Sequence, residues 1–217
     1  CGTLFPYTTL FRSIGAFGSS CGVGDLAAIA HANQLCNAYG LDTISCGVTI
    51  AWGMECFERG LLTTDDTGGL ALHFGDAEAM VEAVELIGRR EGFGATLSLG
   101  AARAAQQIGR GSEAYAMHVK GEEIPMHEPR IKFGLGVGYT TSPTGADHMH
   151  NFHDTSFTSE SGIADMRQFG ILDPLPYDDL SPAKMRLAAV QIPWRTLNNV
   201  LGFCMFVSGS FTRDRKS

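Results

Sequence analysis

Asn37-Ala-Tyr-Gly40-Leu41-Asp42-Thr43 is echoed far downstream by Asn199-Val-Leu-Gly202-Phe203-Cys204-Met205. Each copy holds an amide side chain, two spacers, a glycine and a large apolar residue, followed by an acid or a thiol. The separation is too great for a tandem repeat, so the pair reads as equivalent corners of two halves. A glycine at the end of a helical run supplies the left-handed turn that stops it. An acid two residues later can cap the next helix. A helix–turn–helix corner needs both, whether or not anything binds there.

Working outward from the first copy, Asp25 is a cap for a helix carrying Leu26, Ile29, Ala30, Asn33, Leu35 and Cys36 at helical spacing up to Gly40. Asp42 then caps a second helix with Ile44, Val48, Ala51, Trp52 and Cys56 along one side, ending at Gly60. Residues 61–75 read as a polar connection, and Asp76 opens a third helix ended by Arg89, Arg90 and Gly92. A fourth spans 95–108, broken by Gly109 and Gly111. From Ala114 to His153 the helical period disappears, with a short extended piece between Met117 and Met126. Gly134, Gly136, Gly138 and Gly145 read as irregular backbone, either a surface loop or a close approach to a ligand. They make no dinucleotide fingerprint, since no strong strand precedes them and no helix is expected after them. Residues 154–180 read as a long surface connection. Ser181-Pro182 opens a last helix, which Pro193 should kink or break, ending at Gly202.

Composition bounds what this chain does. Its 217 residues can bury one good core or two small ones, with 44% hydrophobic residues and a formal charge of −7. Mean hydropathy is +0.03. The acidity and lack of a basic stripe argue against nucleic acid as a partner. No apolar run approaches the roughly 18 residues of a membrane span, so a membrane is not expected either. Leu4–Ser13 and Asp214–Ser217 resemble translated sequencing-adapter sequence, and 1–13 and 214–217 are set aside from the fold as artefact. Six cysteines, at 1, 21, 36, 46, 56 and 204, include no C-x-x-C pair, which favours reduced thiols and a cytoplasmic location. Cys21, Cys36, Cys46 and Cys56 read as small buried hydrophobes. His148, His150 and His153 form the densest histidine group. Solvated loop histidines are its plain reading, and a bound zinc of a hydrolase is a weaker one.

The two echoes resemble the paired pterin-binding signature of tungsten-containing aldehyde ferredoxin oxidoreductases, Asp-x-x-Gly-Leu-(Asp/Cys)-x. Asp42-Thr-Ile-Ser45, Arg89-Arg-Glu-Gly-Phe-Gly94, Pro129-Arg130, Gly136-Val-Gly-Tyr139 and Gly145-Ala-Asp-His148 are similar to that family too. The resemblance covers about residues 15–207. It implies a mainly α fold, namely domains 2 and 3 of that family's fold, incomplete. A helical domain over 14–125 would carry the first motif, and a partial one over 126–213 the histidine loop and the second. The implied reaction is oxidation of an aldehyde to a carboxylic acid, electrons passing through a [4Fe–4S] cluster to ferredoxin. The implied cofactors are a tungsten (or molybdenum) bis-pterin and that cluster, with an internal fragment such as this inactive alone. The resemblance places His148 near the metal as the catalytic residue. It places Asn37, Leu41, Asp42, His150, Asn199 and Phe203 at the pterins, and Cys204 as a cluster ligand. Asparagine replaces the family's aspartate in both motifs, keeping an acceptor oxygen and losing the charge-assisted bond. His31-Ala-Asn-Gln34 stands where some relatives carry a Glu-x-x-His element at a subunit-bridging iron, and without the carboxylate that iron is not carried over. A homo-oligomer stays open, as do a relative reducing carboxylic acids or aromatic thioesters and a helical scaffold that has lost its cofactor.

Overall fold

A computed structural model describes residues 11–203, and the chain divides into two compact units, one ending at Met126 and one beginning at His127. In the first unit a π-helical turn, Ile14–Ser19, precedes α1 (Leu26–Tyr39) and α2 (Thr43–Glu58). The Asp25 carboxylate accepts from the backbone N–H of Ala27 and Ala28, which fixes the start of α1. Asp42 accepts from Ser45 N at 2.8 Å and fixes that of α2. Such caps satisfy donors that the helix leaves without partners, each worth about 1 kcal/mol.

The expected one-sided burial of α2 is not what is found. Cys46, Val48, Ile50, Trp52, Met54 and Cys56 are all buried, so α2 is surrounded rather than amphipathic. Helix α1 turns Ile29, Ala32 and Cys36 inward, while Leu26 faces solvent. Residues 61–75 are more than a polar connection. They form the short helix α3 (Thr64–Thr67) and bury Leu62, Leu70 and Leu72 in the same core. Each such side chain contributes roughly 1.5–3 kcal/mol. Helix α4 (Ala77–Arg89) packs Met80, Val84 and Ile87 on that core.

The fourth helix divides into α5 (Phe93–Leu97) and α6 (Ala101–Ile108), with Gly100 at φ 81° between them. The cause lies beyond the range of local sequence. Buried Glu123 accepts from Ala101 N at 2.7 Å and from the Thr49 hydroxyl at 3.3 Å. It caps α6 from the hairpin β1 (His118–Val119) and β2 (Glu122–Glu123).

In the second unit the glycine stretch is a helix, α7 (Phe133–Thr141), not a loop. Its glycines are a contact surface. A Cβ on Gly134 would meet Phe152 Cζ and Asp154 Oδ1 at 2.5 Å, and one on Gly138 would meet Asn151 Oδ1 at 2.2 Å. The segment 154–180 forms 3-10 turns around α8 (Glu160–Ile163) and supplies Phe157, Ile163, Ile171 and Leu175 to a second apolar cluster. Helix α9 (Pro182–Val200) adds Leu187 and Ala188 to it and runs unbroken through Pro193. Ala189, whose carbonyl loses its helical partner to the proline, is exposed like Pro193 itself, so water can serve that carbonyl.

A buried ion pair ties these pieces together. Lys184 and Asp154 have fully buried side chains 2.5 Å apart. Asp154 also accepts from Gly134 N at 3.1 Å and Leu135 N at 2.9 Å, and Lys184 donates to the Pro176 carbonyl at 2.7 Å. One carboxylate thus caps α7 while holding α9.

Candidate functional site

The two echoed motifs adopt the same local structure. Leu41 N donates to Cys36 O at 2.8 Å, and Phe203 N donates to Asn198 O at 2.9 Å. Both bonds close the six-residue ring of a Schellman turn, with Gly40 and Gly202 in the left-handed position, each at φ 71°. Asn37 and Asn199 therefore occupy one register on their helices, and both are exposed. At each glycine the space a Cβ would take is open. Leu41 packs on the first core and Asp42 caps α2, whereas Phe203 is exposed. Cys204, the expected cluster ligand, lies outside the described residues. Asn198, next to Asn199, is buried, with its Nδ2 lacking a partner.

The histidines regroup. His148 is buried, and its ring lies 4.7 Å from that of His127 and 6.0 Å from that of His153, centroid to centroid. The His127 and His153 rings are 4.5 Å apart. His150 instead pairs with Asp147. Asp147 also accepts from Met149 N at 2.7 Å, while its carbonyl takes the Asn151 amide at 2.7 Å. Burial, then the positive charges of His127, Lys132, His148 and Arg195, pushes the His153 imidazole down to about 3. His127 was not foreseen from the sequence: it stands 21 residues before His148, flanked by Met126 and Glu128, without motif or period. Among the described residues no group of three His, Cys, Asp or Glu side chains is arranged to hold a metal ion, so the zinc reading gains no support.

Cys21, Cys36, Cys46 and Cys56 are free and buried. Burial pushes the Cys21 thiol up to about 12 and the Cys56 thiol up to about 11. The neighbouring Cys36 thiol, then burial, holds Cys46 well above its ordinary value. Iron ligation needs thiolates. These four cysteines are packed among the apolar side chains of the first core. Each helix end offers an exposed amide, with both donor and acceptor atoms, beside an open glycine.

The sequence profile described as "Aldehyde ferredoxin oxidoreductase, domains 2 & 3" matches residues 7–216. The chain belongs to the aldehyde ferredoxin oxidoreductase family. The tungsten-containing aldehyde ferredoxin oxidoreductase of Pyrococcus horikoshii is 40% identical over 207 residues, covering 94% of this chain and 32% of that protein. Its counterpart in Pyrococcus abyssi is 33% identical over the same length and coverage. The chain thus spans about a third of these relatives. Among solved structures, the active site complex BamBC of benzoyl coenzyme A reductase superposes with a TM-score of 0.64 at 21% identity, over 88% of this chain and 32% of that one. That likeness shows the shared fold. With the helical architecture above, the expected fold class holds: helical domains 2 and 3 of the aldehyde ferredoxin oxidoreductase fold, incomplete. No helix of the described residues is long and apolar enough to cross a membrane.

Proposed function

We propose that this chain forms the helical part of an oxidoreductase that oxidises an aldehyde, with water, to the carboxylic acid. Two electrons leave the substrate, and two protons are released. A bis-pterin carrying tungsten, less favourably molybdenum, supplies the two-electron redox chemistry when bound. Asn37 and Asn199 present amides to the ring edges, and Leu41 and Phe203 offer apolar surface beside them. Asp42 has a second carboxylate oxygen beyond the one engaged by Ser45. His150, which pairs with Asp147, would contact the phosphate or ring edge of a bound pterin. His148 hydrogen-bonds the aldehyde oxygen or moves its proton, a role for which a buried and positioned imidazole is suited. Cys204 would be one thiolate ligand of a [4Fe–4S] cluster, which would supply one-electron transfer to ferredoxin. In this reading the first helical domain covers 14–125 and the second 126–213, in a cytoplasmic enzyme.

The observation that carries the reading is the common register of the two helix ends, which gives two distant asparagines the same presentation. Tungsten and molybdenum should be measured after anaerobic purification, from a tungsten-fed host, of the complete protein that contains this chain. One metal per protein is expected, falling at least severalfold in Asn37→Ala and in Asn199→Ala. Absence of both metals would sink the reading and favour the cofactor-free scaffold, which the loss of both motif aspartates otherwise supports. The 217-residue chain alone should give no aldehyde-dependent viologen reduction.

A further inference from the structure

Two of the buried thiols meet across the first motif corner. Cys36 lies in the last turn of α1, and its carbonyl receives Leu41 N as the turn closes. Cys46 lies in the first turn of α2, its N–H donating to the Asp42 carbonyl at 3.0 Å. Their thiols share a hydrogen bond, and both side chains belong to the first core. Cys21 is a third sulfur near Cys46, but its thiol is turned to the backbone, donating to Gly47 O at 3.4 Å and Ala16 O at 3.6 Å. In the second corner the register of Cys36 is taken by Asn198, whose carbonyl receives Phe203 N, so a thiol at this position is peculiar to the first. Burial protects the pair while the corner is closed, because a thiol must ionise before it attacks. Residues Asn37, Ala38, Tyr39 and Gly40 on the outer side are exposed, so a local opening of the turn frees both sulfurs together.

We propose that Cys36 and Cys46 are a redox modification site, at which a low-molecular-weight disulfide oxidises the two thiols to one disulfide bond across the first corner. When the corner opens, one cysteine thiolate attacks a sulfur of the small disulfide, forming a mixed disulfide and releasing one small thiolate. The second cysteine then attacks the protein sulfur of that mixed disulfide, forming the Cys36–Cys46 bond and releasing the other. The two cysteine protons pass to the two released thiolates, and the small disulfide takes up two electrons. The product closes an eleven-residue loop that contains Asn37, Gly40, Leu41 and Asp42, so oxidation holds the corner shut. Disulfides in reducing compartments are usually transient and sensing rather than structural, which suits a pair that the reduced fold covers.

The test is oxidation of the folded 217-residue chain by glutathione disulfide, followed by blocking of the remaining thiols, chymotryptic digestion and mass spectrometry. Chymotrypsin cuts after Tyr39 and so separates the two cysteines. A linked Cys36–Cys46 peptide pair is expected. It should disappear on treatment with dithiothreitol, be absent from Cys36→Ala and from Cys46→Ala, and persist in Cys21→Ala. Hydrogen exchange of the amides from Leu41 to Cys46 should slow by up to about a hundredfold on oxidation, the loop-closure effect for a ring of this size, while α4 amides stay level. The proposal fails if no linkage forms, if Cys21 pairs with Cys46 instead, if linkage needs prior unfolding in urea, or if exchange at the oxidised corner is unchanged. The linkage and the exchange are both read on the parent chain, so they decide the matter even where an alanine variant does not fold. No pterin or metal enters either readout, so failure here leaves the cofactor reading standing, and missing tungsten leaves an observed disulfide intact.

Discussion

The two units solve the same burial problem with different materials. Up to Met126 the core is apolar side chains and buried thiols around a surrounded α2. From His127 onward the apolar cluster is smaller, and it is accompanied by a fully buried lysine–aspartate pair and a stack of imidazoles of which only His148 is buried. The contrast separates scaffold from chemistry. Four of the seven histidines lie in the second unit, three of them with their rings close together, while burial raises the Cys21 and Cys56 thiols of the first. The two motif corners are the exception, because there the units are built alike.

The contrast breaks most sharply at Lys184. Lys184→Met removes one partner and strands the Asp154 carboxylate, which is fully buried with it. A loss of about 3–5 kcal/mol is expected, with early exposure of α7 and α9 amides in hydrogen exchange and little change before Met126. A loss below about 1 kcal/mol would mean the pair is not a structural centre of its unit. Lys184→Met with Asp154→Leu should recover much of the deficit, since an apolar pair of similar volume avoids the stranded charge.

Much of the scaffold was legible in the sequence because caps act over three or four residues. Asp25, Asp42, Asp76 and Ser181 each begin a helix where the residue type requires it. Errors arose where a distant partner decides local structure. Glu123 splits the expected helix at Gly100, a contact 22 residues away that no local window contains. The glycines of α7 signal a close approach correctly, but the approaching groups are Phe152, Asn151 and Asp154 rather than a ligand. The candidate site was half legible: the motifs carry a recognisable spacing, whereas His127 joins His148 only through the fold.

The two corners sharpen the comparison at intermediate cost. Gly40→Ala and Gly202→Ala both force a left-handed turn on a residue with a Cβ, at the same φ of 71° and with open space around it. Each should cost about 1–2 kcal/mol, and the two should agree, since strain rather than packing sets the penalty. Local hydrogen exchange at the ends of α1 and α9 reads each one separately. A clear inequality would show that the corners differ in backbone, and would remove the argument from shared register.

The smallest effect is electrostatic and distinguishes the units by pH. His153 is depressed in the folded chain to about 3, below the ordinary imidazole value. The unfolded chain therefore binds more protons between the two values, and stability must fall as pH drops below about 6.5. Because the ring is partly open to solvent, the loss expected at pH 5.5 is under about 1 kcal/mol. Exchange rates of amides after His127 should accordingly rise between pH 7.5 and pH 5.5, once corrected for intrinsic chemistry, while those of α2 stay level. His153→Gln abolishes the difference if this imidazole is its source. Acid sensitivity that survives the substitution would assign it to another group.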